Sequence, residues 1–134
     1  MSLNVEVSAG ELLDKITILE IKSERMTDTA KLANVRTELE TLRATWQASP
    51  LADRDIAGQM RRLKAVNERL WDIEDAIRRH EADGDFGDDF VQLARSVYFS
   101  NDERAAIKRE LNEMLGSRLT EEKSYADYGD GGGA

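Results

Sequence analysis

The chain has no cysteine, one proline (Pro50), one histidine (His80) and an aromatic content of only 6% in 134 residues. Each scarcity excludes something. Without cysteine there are no disulfides, thiolate nucleophiles or Cys-based metal sites. His80 has no partner at helical ligand spacing, so it reads as a charged surface residue rather than a metal ligand. A basic excess is also missing. The net charge is −8, so duplex nucleic acid and anionic membrane surfaces are not expected partners. No apolar run approaches the roughly 20 residues of a membrane span, and no leader pattern is visible, so a cytoplasmic protein without membrane insertion is expected. There is no phosphate-binding glycine loop, nucleophile elbow or dinucleotide fingerprint; no cofactor is expected.

What the chain does have is charge, 34% of residues, mixed along its length, with few breakers. That is the composition of an all-α protein with solvated helix faces. The expected architecture is five helices packed as antiparallel hairpins, the first three long, in one domain over residues 1–118. Residues 119–134 form a tail, flexible at its glycine-rich end.

Ser8-Ala-Gly-Glu11 reads as a capping box opening a helix over about Ala9 to Met26. Leu12, Ile16, Leu19 and Met26 form its stripe, and Ile18 and Ile21 give it a second apolar side, so it lies between neighbours or at a subunit contact. Glu20 borders the stripe, either in a salt bridge or as a buried acid. A second helix, about Ala30 to Gln47, carries the seam Leu32, Val35, Leu39, Leu42 and Trp46 and ends before Pro50. The two-sided first helix and this seam predict a homodimer.

Asp53 is the expected cap of the third helix, which runs to about Glu81. Its stripe is Ile56, Met60, Leu63, Val66, Leu70, Ile73 and Ile77. Beside the stripe, within an arc of roughly 60°, stand Asn67, Trp71, Glu74 and Arg78. This quartet predicts a partly buried network, with Asn101, Asp102 or Arg104 as its nearest outside partners. The acidic segment Asp83–Asp89 departs from the EF-hand pattern and reads as a turn and an acid-rich helix start. A fourth helix, about Gly87 to Val97, and a fifth from the second capping box Ser100-Asn-Asp-Glu103 to Leu115 complete the bundle.

The sequence names no chemistry. Glu11 with Asp14 and Asp72 with Asp75 could hold magnesium if their helices met, as in all-α nucleotide pyrophosphohydrolases, but surface ion pairs account for them more simply and no metal is expected. Arg78, Arg95, Arg104 and Lys108 could instead turn inward and bind a small anion, by analogy with chorismate-mutase-like bundles.

Gly10-Glu-Leu-Leu-Asp-Lys15 with Thr17-Ile-Leu-Glu-Ile-Lys22 resembles the opening of a bacterial family of small helical proteins of unknown function. Asn34-Val35, Glu38-Leu39, Asn67, Leu70-Trp71, Ile73-Glu-Asp75, Arg78, Phe90-Val91, Leu93 to Tyr98, Asn101-Asp102, Arg104 and Glu121 to Tyr125 also fit. The resemblance implies no catalytic residue. It implies, for some members, an association with glycosyltransferases of cell-envelope polysaccharide synthesis. The leading expectation is a non-catalytic interaction or scaffold protein accessory to that synthesis. The alternative is a small all-α enzyme or binder acting on an anionic metabolite, metal-assisted or not. A concave pocket gathering Glu20, Arg78, Arg95 and Arg104 would favour the second; an apolar groove without converging charges would favour the first.

Overall fold

In the computed structural model, which describes residues 1–129, four helices follow one another: α1 (Ala9–Arg25), α2 (Thr29–Gln47), α3 (Ala57–Asp83) and α4 (Asp88–Leu115). Their ends follow local chemistry. The Ser8 hydroxyl accepts from the Glu11 amide at 3.1 Å and the Asp28 carboxylate from the Lys31 amide at 2.9 Å, satisfying donors that a first turn leaves free. Gly84 (φ 65°) and Gly116 (φ 62°) close α3 and α4 in the left-handed conformation.

Two boundaries differ from expectation. Asp53 does not cap α3. The segment after Pro50 folds into turns, and α3 starts after Ile56 without a side-chain cap. The expected fourth and fifth helices are one helix. Residues 88–115 contain neither proline nor glycine, and serine, asparagine and aspartate only mildly disfavour a helix interior. Ser100 is buried at 3% exposure and its hydroxyl accepts from Arg69 on α3 at 3.2 Å, so it serves packing rather than capping.

The short connections Met26–Asp28 and Gly84–Gly87 make hairpins of α1 with α2 and of α3 with α4. α1 packs on all three other helices, whereas α2 packs mainly on α1. That position accounts for the second apolar side of α1: Ile21 is 2% exposed inside a single chain. The core joins Leu13, Ile16 and Leu19 of α1, Val35 and Leu39 of α2, Leu63 and Val66 of α3, and Ile107, Leu111 and Leu115 of α4. Ion pairs rim the contacts: Arg43 with Glu20, Arg25 with Asp72, Lys64 with Glu24, Arg62 with Glu110 and Arg69 with Glu103. Among the described residues no helix is long and apolar enough to cross a membrane.

Candidate functional site

Where α1, α3 and α4 meet, polar side chains replace apolar ones at positions facing inward. Asp14, Thr17, Asn67, Lys108 and Asn112 are all buried. Such groups are tolerated in an interior only when they satisfy one another. The Asn67 amide donates to Asp14 Oδ1 at 2.8 Å and to Thr17 Oγ1 at 2.9 Å, and its carbonyl accepts from Arg104 at 3.2 Å. Arg104 also donates to Asn101 at 2.8 Å. The Thr17 hydroxyl donates to the Asp14 carbonyl at 2.7 Å.

The Lys108 ammonium donates to Glu11 and Glu121, each at 2.7 Å, and stands 3.9 Å from Asp14 Oδ2. Burial works against its charge, but the carboxylates of Glu11, Glu121 and Asp14 outweigh burial and hold its pKa above the ordinary lysine value. At the end of this row the Gly10 amide donates to Asn112 at 2.7 Å. A Cβ on Gly10 would stand 2.6 Å from the Lys108 backbone carbonyl, so glycine lets α1 approach α4 this closely.

The network borders an open cleft of about 360 Å³. Its floor is apolar: Ile18 and Ile21 of α1 with Leu70 and Trp71 of α3. Asn67, Glu74, Asp75, Arg78 and Arg104 complete its lining. The whole expected quartet therefore meets in one cleft, with Arg104 opposite. Trp71 is half-buried, with the Arg25 guanidinium 5.9 Å over its ring. One part of the expectation is corrected. Glu74 and Arg78 pair at 3.4 Å, but their side chains are 55% and 80% exposed, so the buried network contains Asn67 and not this pair. Glu74 and Arg78 lie on the same face as Asn67 but about two to three turns further along α3, where they are exposed to solvent.

Three other candidates lie elsewhere. Glu20 pairs with Arg43 of α2 at 2.9 Å, Arg95 sits 5.7 Å over the Phe99 ring, and Asp102 accepts from the Tyr128 hydroxyl. The pocket of Glu20, Arg78, Arg95 and Arg104 is not formed. His80 is half-buried against Phe90, and its Nδ1 meets the Asp85 carbonyl at 3.0 Å. Glu11 and Asp14 face Lys108 while Asp72 faces Arg25, so the two acid pairs do not converge. Among the described residues no cluster of three His, Cys, Asp or Glu side chains could hold a metal ion.

The segment after α4 has no regular structure up to Gly129, yet it lies along that helix. The Ser117 hydroxyl accepts from the Ala9 amide at 3.3 Å, Glu121 meets Lys108, and Glu122 accepts from Arg109 at 2.9 Å. The Tyr128 ring packs 5.1 Å from Phe99 and 5.6 Å from Tyr98. Nearly all of the expected glycine-rich end lies outside the described residues.

Asp14, Thr17, Lys108 and Asn112 were not grouped by sequence reasoning. Their signal was polar residues in core-facing register: Gly10, Asp14, Thr17 and Ile21 repeat by fours and threes along α1, as do Asn101, Arg104, Lys108 and Asn112 along α4.

Fold and site together define a four-helix protein with a polar knot in its core and an apolar cleft beside it. The chain belongs to a family of unknown function, DUF6165, whose model matches residues 3–129, from the N-terminal segment through the segment that follows α4. No significant match is found among curated proteins or among solved structures.

Proposed function

We propose that this is a non-catalytic interaction protein whose cleft receives an amphipathic helix of a partner protein. One observation carries the reading: the cleft floor of Ile18, Ile21, Leu70 and Trp71 is apolar, while charges of both signs are spread around it. An amphipathic helix presents that pattern in reverse, an apolar stripe between charged flanks. The cations of this cleft are already engaged by the chain's own groups, which disfavours an anionic metabolite there. Here Arg78 faces Glu74, and Arg104 is held by Asn67 and Asn101. The resemblance supplies a partner class, the glycosyltransferases of envelope polysaccharide assembly, and the reading places the protein on their cytoplasmic side. A second copy of the chain is the other occupant, favoured by the exposed apolar residues Leu3, Val5, Phe86 and Val91.

Replacing Trp71 with a photo-crosslinking amino acid in cells tests the reading, with Thr37 on the exposed side of α2 as control. A discrete adduct with another polypeptide from position 71 alone supports it. An adduct of twice the chain mass points to the homodimer. No adduct from position 71, or equal adducts from both positions, rejects the cleft as an interface.

A further inference from the structure

We propose that the cavity between α4 and the C-terminal segment is a binding site for a small phosphomonoester, held shut by the chain's own Glu121 and Glu122. The cavity measures about 300 Å³ and is separate from the apolar cleft. Ala105 and Ala106 line it and leave it room; three cations, Lys108, Arg109 and Lys123, share the lining with two acids, Glu121 and Asp102, the latter engaged by the Tyr128 hydroxyl. Its volume is at the lower end of the range for small-ligand sites.

The central group is Lys108, whose side chain is only 10% exposed. A buried ammonium needs carboxylates around it. Two of them, Glu11 and Asp14, come from α1 and are part of the bundle. The third, Glu121, comes from a segment without secondary structure, and the neighbouring Glu122 occupies Arg109 in the same way. Two consecutive acids of a strap therefore sit on two consecutive cations of a helix. The strap leaves α4 at Gly116, in the left-handed conformation, and is fastened again where Tyr128 meets Asp102 and the Tyr98 and Phe99 rings. It is tethered at both ends, and between them Glu121 and Glu122 hold it to α4 by ion pairs, an arrangement that can open without unwinding a helix.

The strap also determines what could replace it. An intramolecular carboxylate acts at an effective concentration on the order of millimolar, so a free monocarboxylate would merely exchange like for like against a favoured competitor. A phosphomonoester brings about −1.5 to −2 charges and three acceptor oxygens. It can engage Lys108 and Arg109 together, and Lys123 adds a third donor at the mouth.

Inorganic phosphate and O-phosphoserine, with glutarate as the carboxylate control, can be titrated at constant ionic strength into the wild-type chain and into Glu121→Gln/Glu122→Gln, with amide shifts as the readout. The double variant should bind the two phosphates about tenfold more tightly than wild type, because the competitor is gone, and should not gain as much for glutarate. Shifts should centre on residues 105–109, and saturating phosphate should speed amide exchange over residues 118–124 of the wild type. Lys108→Met in the double-variant background should abolish binding. Should that variant fail to fold, the exposed pair Arg109→Ala/Lys123→Ala should weaken binding about fivefold instead. Equal phosphate affinity with and without the strap acids, no binding to the double variant, or shifts away from the cavity would each overturn the proposal.

Discussion

Asn67 of α3 donates to the Asp14 carboxylate of α1 at 2.8 Å, in a place where each residue is only 5% exposed. A carboxylate kept from water needs such a donor, and Asn67 has no alternative partner in solvent. The second N–H of the same amide reaches Thr17, one turn further along α1, and the carbonyl accepts from Arg104 on α4. One side chain therefore sets the register of three helices at a single point.

Asn67→Ala should accordingly be among the most damaging single substitutions. It leaves Asp14 Oδ1 and one Arg104 donor without hydrogen-bond partners, with only the Lys108 ammonium still near the carboxylate, at a cost of about 2–4 kcal/mol. Thr17→Val, which removes one neutral hydroxyl and keeps the shape, should cost about 1 kcal/mol. Urea denaturation midpoints measure both; an Asn67→Ala midpoint no lower than that of Thr17→Val would show that the amide does not support Asp14.

Two glycine substitutions should have opposite signs. Gly10→Ala places a methyl 2.6 Å from the Lys108 backbone carbonyl, which cannot swing aside, so α1 must move off α4 at a cost of about 1–3 kcal/mol. Gly58→Ala meets nothing nearer than the mobile Arg61 guanidinium at 3.8 Å. There the helix gains from alanine, and stability should rise by up to about 1 kcal/mol. Thermal melts of the two variants side by side give the comparison.

Arg78→Ala should be nearly silent in stability, at most about 0.5 kcal/mol, because its pair with Glu74 is solvated at both ends. Arg104→Ala should cost more, about 1–2 kcal/mol, since it removes donors from Asn67 and Asn101. If the cleft is an interface, both variants should weaken binding while only Arg104→Ala lowers the melting temperature.

The strap should respond to pH at both extremes. The Lys108 hydrogen bond holds Glu121 below the ordinary glutamate value of 4.5, so its contribution to attachment is complete above 4.5 and is lost as pH falls through the lower folded value. Lys108 lies above its ordinary 10.5, so its contribution is complete below 10.5 and is lost as pH rises through the folded value. Attachment of residues 118–124, followed by solvent accessibility, should be level between these limits and fail outside them.

Tyr128 carries a related signature. The Asp102 carboxylate beside its hydroxyl pushes its pKa from 10.0 up to about 12. Wild-type minus Tyr128→Phe difference absorbance should place its ionisation there, and Asp102→Asn should return it toward 10.0. A raised phenol favours the fastened strap below 10.0, and this support disappears as pH passes about 12.

Much of this architecture depends on short-range chemistry and was legible in the residues alone. Threes-and-fours spacing marks the helices, and the Ser8-Ala-Gly-Glu11 pattern marks the donor-satisfying cap of α1. The same local reasoning misread Ser100, because a capping pattern and an interior serine look identical until α3 is packed against it. It placed Asn67, Trp71, Glu74 and Arg78 on one flank, and all four do line one cleft. It could not tell that Asn67 is locked inside while Arg78 is in water: the two lie about 20° apart around α3 but roughly 16 Å apart along it, and the neighbouring helices cover only the first. Only the tertiary structure joined Asp14 to Asn67 across 53 positions and Glu11 to Lys108 across 97. The pairing of charges across such distances depends on how buried apolar stripes dock, which no local pattern records.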